Sequence, residues 1–123
     1  MLHSHLKAVP LEKAYRLLNH GPTVLVSVQD HQHTDVMVAA WACALEFQPA
    51  KVTVMLDKST KTRTLIENSG YFALQVPTLK QLEMVHALGT QSLHDFPDKL
   101  ARCDVELFQF EQSDVPVVAG CTA

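Results

Sequence analysis

Residues Ser59-Thr60-Lys61-Thr62-Arg63-Thr64 place four hydroxyls and two cations between a β-patterned segment and a helical one. The first N–H groups of a helix have no intrahelical acceptor and sit at the positive end of its dipole, so such a junction suits an anion, above all a phosphate. An arginine can grip two phosphate oxygens at once, whereas a lysine acts as a point charge. A solvated turn whose threonine merely caps the helix has the same composition. The stretch alone leaves both readings open.

Other chemistry-bearing residues are less organised. Of the seven histidines, His3/His5 and His31/His33 form pairs two residues apart, but no cysteine or carboxylate is spaced to complete a metal site, and H-E-x-x-H is absent. No metal is expected. Cys43, Cys103 and Cys121 have no CxxC spacing and read as small hydrophobes of a reducing cytoplasm. There is no G-x-S-x-G elbow, G-x-G-x-x-G turn or Walker loop, so nucleophilic hydrolysis and the usual Rossmann or P-loop nucleotide modes have no motif behind them. Trp41 lies among Ala39, Ala40 and Ala42; it fits a core, or the border of a flat ligand that small neighbours would let approach the backbone.

These residues need a scaffold. With 123 residues, 47% hydrophobic and 19% charged, the chain reads as a single globular domain over 1–123, residues 1–9 being loosely ordered. A net charge of -3 gives no footprint for nucleic acid. No apolar run reaches the roughly 18 residues of a membrane span, and no secretory signal opens the chain, so a cytoplasmic location is expected.

Leu11, Ala14, Tyr15 and Leu18 have helical spacing, closed by Gly21-Pro22. Strands are expected over 23–29, 36–45, 51–57, 71–76, 105–110 and 115–118. A helix over 62–69 stops at Gly70. Another opens with a Thr78/Gln81 capping box, carries Leu79, Leu82, Val85 and a partly buried His86 on one face, and ends at Gly89; a short one lies near 98–101. Strands outnumber helices and the links are short, which predicts a mainly β barrel with peripheral helices.

Taken in order, the segments resemble the flavin reductase-like (flavoredoxin-type) family of FMN-binding split barrels. The resemblance rests on Gly21-Pro22-Thr23-Val24-Leu25-Val26-Ser27, Asp35 to Trp41, Phe47-Gln48-Pro49, Ser59 to Ile66, Asn68-Ser69-Gly70-Tyr71-Phe72 and Val76-Pro77. Gly89-Thr90-Gln91-Ser92, Asp98-Lys99 and Val115 to Cys121 complete it. It implies a Greek-key split β-barrel that forms a homodimer and holds FMN near the subunit interface. The flavin ring would lie along Met37, Val38, Ala39, Ala40, Trp41 and Ala42, and the phosphate at Ser59, Thr60, Lys61, Thr62 and Arg63, with Lys99 a further charged candidate. Such proteins pass a hydride from NADH or NADPH to flavin, or carry electrons through a held flavin.

Two departures stand out. The family's Asn-x-Met-Thr reads here Asp35-Val36-Met37-Val38, and the chain stops at Thr122-Ala123 where relatives run on through further strands. The expectation is therefore a barrel incomplete at its C-terminus, with unpaired edges. A truncated or degenerate barrel without enzymatic function is the first alternative. A pyridoxamine-phosphate oxidase-like or haem-handling relative is the second.

Overall fold

The computed structural model describes residues 6–123; residues 6–10 are exposed and carry no helix or strand. The His3/His5 pair, with residues 1–5 of the stretch expected to be loosely ordered, lies outside the described residues. At the centre is β1 (Val24–Gln29), paired antiparallel with β2 (Thr34–Ala39) on one side and β5 (Ala73–Gln75) on the other. Val24 through Val28 are all buried, so β1 is covered on both faces and its near-continuous apolar run is explained by position. The β1–β2 turn is held by Asp30, whose carboxylate accepts from the N–H groups of Gln32 and His33. Those bonds keep its pKa below the ordinary carboxylate value.

The strand expected over 36–45 is instead two. β2 ends at Ala39, and after Ala40-Trp41 the chain starts β3 (Ala42–Phe47), which pairs with β4 (Ala50–Val54) in a separate hairpin. Ala39 is buried while Trp41 is 75% exposed. The chain turns a corner between sheets here, and the Met55 N–H bonds the Trp41 carbonyl to hold it. An alanine-rich run has no periodicity to mark such a corner, which is why the sequence does not show it. Gln48 and Pro49, joined by a cis bond, make the turn between β3 and β4.

The first helix is a 3₁₀ helix, Leu11–Leu17, not an α-helix. Its tighter winding leaves Leu11 73% exposed; Leu18 just beyond it is buried, and Tyr15 packs on Phe47 with ring centroids 4.7 Å apart. α1 (Lys61–Ser69) begins at the N-cap Thr60 and ends at Gly70, whose φ of 79° is the left-handed C-cap that glycine adopts without strain. After a 3₁₀ turn at Leu79–Gln81 comes α2 (Leu82–Thr90), then α3 (Lys99–Arg102). β6 (Leu107–Phe108) and β7 (Val117–Val118) form a last short pair.

The face expected for the helix after Thr78 is rotated. Leu79 and Leu82 are 85% and 61% exposed and His86 is exposed, while Met84, Val85, Ala87 and Leu88 pack on the core of Leu25 and Val36. The 3₁₀ turn Leu79–Gln81 shifts the register ahead of α2, and Gln81 ties it down: its side-chain carbonyl accepts from the Thr78 N–H at 2.9 Å and its amide donates to the Ala119 carbonyl at 2.9 Å. Gly89 does not end α2, which runs on to Thr90; it lies over Val38, whose Cγ2 is 3.8 Å from where a Cβ would stand.

The C-terminal strands are tied in by buried side chains. Gln75 donates to the Ser27 hydroxyl and accepts from the Val118 N–H, and Ser27 donates to the Pro116 carbonyl. The architecture is mainly β with peripheral helices, as the sequence pattern predicts. Its three sheets do not close into one barrel among the described residues. None of the described helices is long and apolar enough to cross a membrane.

Cysteine reactivity gives a direct check on the packing. Cys43 is exposed, whereas Cys103 and Cys121 are buried and burial pushes both thiols up. A colorimetric thiol reagent at neutral pH is expected to label Cys43 quickly and the other two only after denaturation. Fast labelling of all three would show that the core is open.

Candidate functional site

The strand-to-helix junction is built from its own hydrogen bonds. Asp57 accepts from the Ser59 N–H and hydroxyl, which hold its carboxyl below the usual range. The Thr60 hydroxyl donates to the Asp57 carbonyl at 2.8 Å and receives the Arg63 N–H at 3.4 Å. That cap satisfies one donor of the first turn. The N–H groups of Lys61 and Thr62 have no acceptor among the described residues, so they stay available to a ligand at the positive end of α1.

A small cavity opens at this helix start. It has a volume of about 110 Å³, bounded by Thr60, Lys61 and Thr62 on one side, Met37 and Val38 of β2 on another, and Gly89, Gln91 and Ser92 opposite. Lys61 is half-buried and forms no ion pair among the described residues. Gln91 accepts from the Arg102 Nε at 3.1 Å, which leaves its amide N–H₂ to donate, and the Ser92 hydroxyl receives the His94 N–H at 3.2 Å. His94 in turn places Nε2 3.1 Å from the Ser59 carbonyl, clasping the far wall to the junction.

Beneath the cavity lies a buried ion pair. Lys99 Nζ is 3.0 Å from Asp35 Oδ1, and the Thr62 hydroxyl donates to Asp35 Oδ2 at 2.7 Å. Lys99 and Asp35 side chains are 3% and 2% exposed. One carboxylate thus ties β2, α1 and α3 together, and each charge has its counter-charge.

The structure brings Met37, Val38, Thr60, Lys61, Thr62 and Lys99 together around this cavity. Ser59 stands behind it. Arg63 is turned elsewhere: its Nε bonds Glu67 at 3.1 Å and it lines a separate open cleft below β4. Ala39 and Ala42 pack towards the core around Val24 and Val26, while Ala40 and Trp41 lie on the exposed corner. Asp35, Gly89, Gln91 and Ser92 also border the cavity, and residue type alone does not single them out as site residues. Three of them sit in the Gly89-to-Ser92 run, whose place in the ordered family pattern is the one signal the sequence offers.

The residues present fit the phosphate end of FMN. Two amides and a lysine without partners among the described residues, with neutral donors from Gln91 and Ser92, line a space well below the roughly 300–1,000 Å³ of a site that engulfs a whole ligand. A space of this size suits a phosphate group.

Comparisons with known proteins show the family. A family model described as the flavin reductase like domain matches residues 15–123. The uncharacterized protein YddH of Escherichia coli (strain K12) is 43% identical over 114 residues, covering 91% of this chain and 54% of that protein. An FMN-binding domain of a flavin reductases-like enzyme from Shewanella baltica OS155 superposes with a TM-score of 0.91 at 59% identity, covering 94% of this chain and 60% of that one. The flavoredoxin of Desulfovibrio vulgaris (Miyazaki F) gives a TM-score of 0.72 at 29% identity, over 80% of this chain and 54% of the other. This chain therefore spans between 54% and 60% of the length of these three relatives. A similar split-barrel domain occurs in a flavin reductase-type structure from Shewanella frigidimarina, and the fold is of that class. With its sequence matched over residues 15–123 and its backbone superposing so closely, the chain belongs to the flavin reductase-like domain family.

Proposed function

We propose that this domain binds FMN with its phosphate in the cavity at the start of α1 and its ring along the β2 rim towards Trp41. The observation that carries this reading is that Lys61 and two helix N–H groups without an acceptor among the described residues border a phosphate-sized space. Lys61 supplies the charge, the amides and Gln91 supply directed donors, and Met37 and Val38 offer an apolar edge to the ring. When bound, the flavin supplies the hydride- and electron-accepting chemistry; the protein binds, orients and shields it. NADH or NADPH is the hydride donor in this reading, with electron transfer through the held flavin as its variant. A second copy of the chain would cover the exposed apolar side chains Trp41, Leu45, Phe47 and Met55 and complete a homodimer.

The test is a pair of titrations followed by flavin fluorescence, one with FMN and one with riboflavin. FMN is expected to bind saturably with a dissociation constant of about 10 µM or below, and riboflavin at least about tenfold more weakly, because it lacks the phosphate. No saturation with tens of micromolar FMN, or equal affinity for both, would overturn the reading. An absorption spectrum of the purified protein separates flavin from pyridoxal phosphate and haem in the same sample.

A further inference from the structure

The buried Asp35–Lys99 pair lies directly under the anion cavity, where its two charges have opposite effects on a phosphate. Lys99 is 3% exposed and its ammonium is held 3.0 Å from the carboxylate. The other acceptor oxygen of Asp35 takes the Thr62 hydroxyl from the first turn of α1. A lysine this close to the cavity would ordinarily be read as a phosphate ligand. Its geometry gives it a different role, the cancelling of Asp35's charge. The carboxylate keeps the Thr62 end of α1 in place, and the lysine prevents that carboxylate from repelling an anion a short distance above it.

We propose that Asp35 and Lys99 are positioning residues that set the net charge of the cavity at the single positive charge of Lys61, so that Asp35 limits the affinity for the phosphate and Lys99 protects it. This rests on the reading of the cavity as a phosphate site. In a poorly solvated setting two unit charges a few ångströms apart interact strongly, so uncovering either member of the pair matters. A phosphate ligand role for Lys99 predicts something else: loss of FMN affinity whenever Lys99 is removed, whatever stands at position 35.

The experiment compares FMN and riboflavin dissociation constants for the wild type, Asp35→Asn, Lys99→Met and the double variant. Asparagine keeps an acceptor for Thr62, and methionine keeps most of the lysine volume. The double variant decides the matter. It is expected to retain the wild-type ratio of the two constants within about threefold, since a neutral pair has been replaced by two neutral side chains. Asp35→Asn alone is expected to shift the ratio towards FMN by about fivefold or more, and Lys99→Met alone to shift it away by a similar factor. A double variant that loses its preference for FMN would overturn the proposal and make Lys99 a direct ligand. Equal changes for both flavins in the single variants would also overturn it, as a purely structural role has no reason to distinguish them. If a single variant does not fold, the double variant alone decides between the two roles. Wild-type discrimination between FMN and riboflavin is measured in the same series, so a failure of the phosphate reading itself shows there first.

Discussion

Replacing Lys61 by glutamate is expected to weaken FMN binding by about a hundredfold or more while changing riboflavin binding by no more than about threefold. Lys61 is the cavity's cation without a carboxylate partner among the described residues. Two unit charges about 5 Å apart at an effective dielectric constant near 20 interact by about 3 kcal/mol, and reversing the charge turns that attraction into repulsion. A loss of about 3 kcal/mol corresponds to a little over a hundredfold in affinity. The fold should tolerate the change, because a glutamate at the first helical position is favoured by the helix dipole. Melting without ligand is therefore the control. Arg63→Ala is the informative comparison: its guanidinium is on Glu67 and in the other cleft, so FMN affinity should fall by less than about threefold. Equal, large losses in the two variants would mean that both cations reach the phosphate. The wild-type FMN affinity should also fall as salt rises, more steeply than that of riboflavin.

Leu65→Ala is expected to cost about 3 kcal/mol or more of stability and to loosen the site at the same time. Leu65 is fully buried on the inner face of α1, packed with Val28 of β1 and Leu93, so it joins the helix, the central strand and the far wall of the cavity. Truncating a buried leucine removes its transfer free energy and leaves a cavity that the surroundings only partly fill, for a cost of about 2.7–5 kcal/mol. In a chain of this size the melting temperature should drop by about 10 °C or more. The binding consequence is separate. Lys61 and Thr62 border the same cavity as Gln91 and Ser92, and Leu65 holds α1 against Leu93 on its far wall, so FMN should bind more weakly to the folded variant. Excess FMN should nonetheless recover part of the lost stability, by about 2.7 kcal/mol at a hundred times its dissociation constant. Thermal melts with and without FMN measure both effects. Leu79→Ala, at an 85% exposed position, should shift the melt by less than about 2 °C; a drop matching that of Leu65→Ala would mean the helix is rotated from its described position.

How legible the molecule is in its sequence depends on the range of the forces involved. The helix expected over 62–69 and its Gly70 stop follow from residues within a few positions of each other, and the structure has that helix as α1, begun one residue earlier at Lys61 after the Thr60 cap. β1 and its Asp30 turn are equally local. The Ala40–Trp41 corner is not, because what bends the chain there is the change from one sheet to another, and an alanine run carries no period to show it. The rotation of α2 is also hidden. Leu79, Leu82, Val85 and His86 have sound helical spacing, yet Leu79 lies in a 3₁₀ turn before α2, Gln81 is bonded to Ala119, 38 residues on, and it is Met84 and Leu88 that face inward.

By itself, then, the sequence determined a β-rich family fold and a strand-to-helix junction suited to a phosphate, since caps, dipoles and amide orientation are properties of neighbouring residues. It could not apportion the junction's charges. Only the tertiary structure decided that Lys61 faces the cavity, that Arg63 turns to Glu67, and that Lys99 crosses 64 positions to neutralise Asp35. A side chain's type is written in the chain, but what it neutralises depends on which distant groups packing brings within about 3 Å, where an ion pair is strong enough to decide.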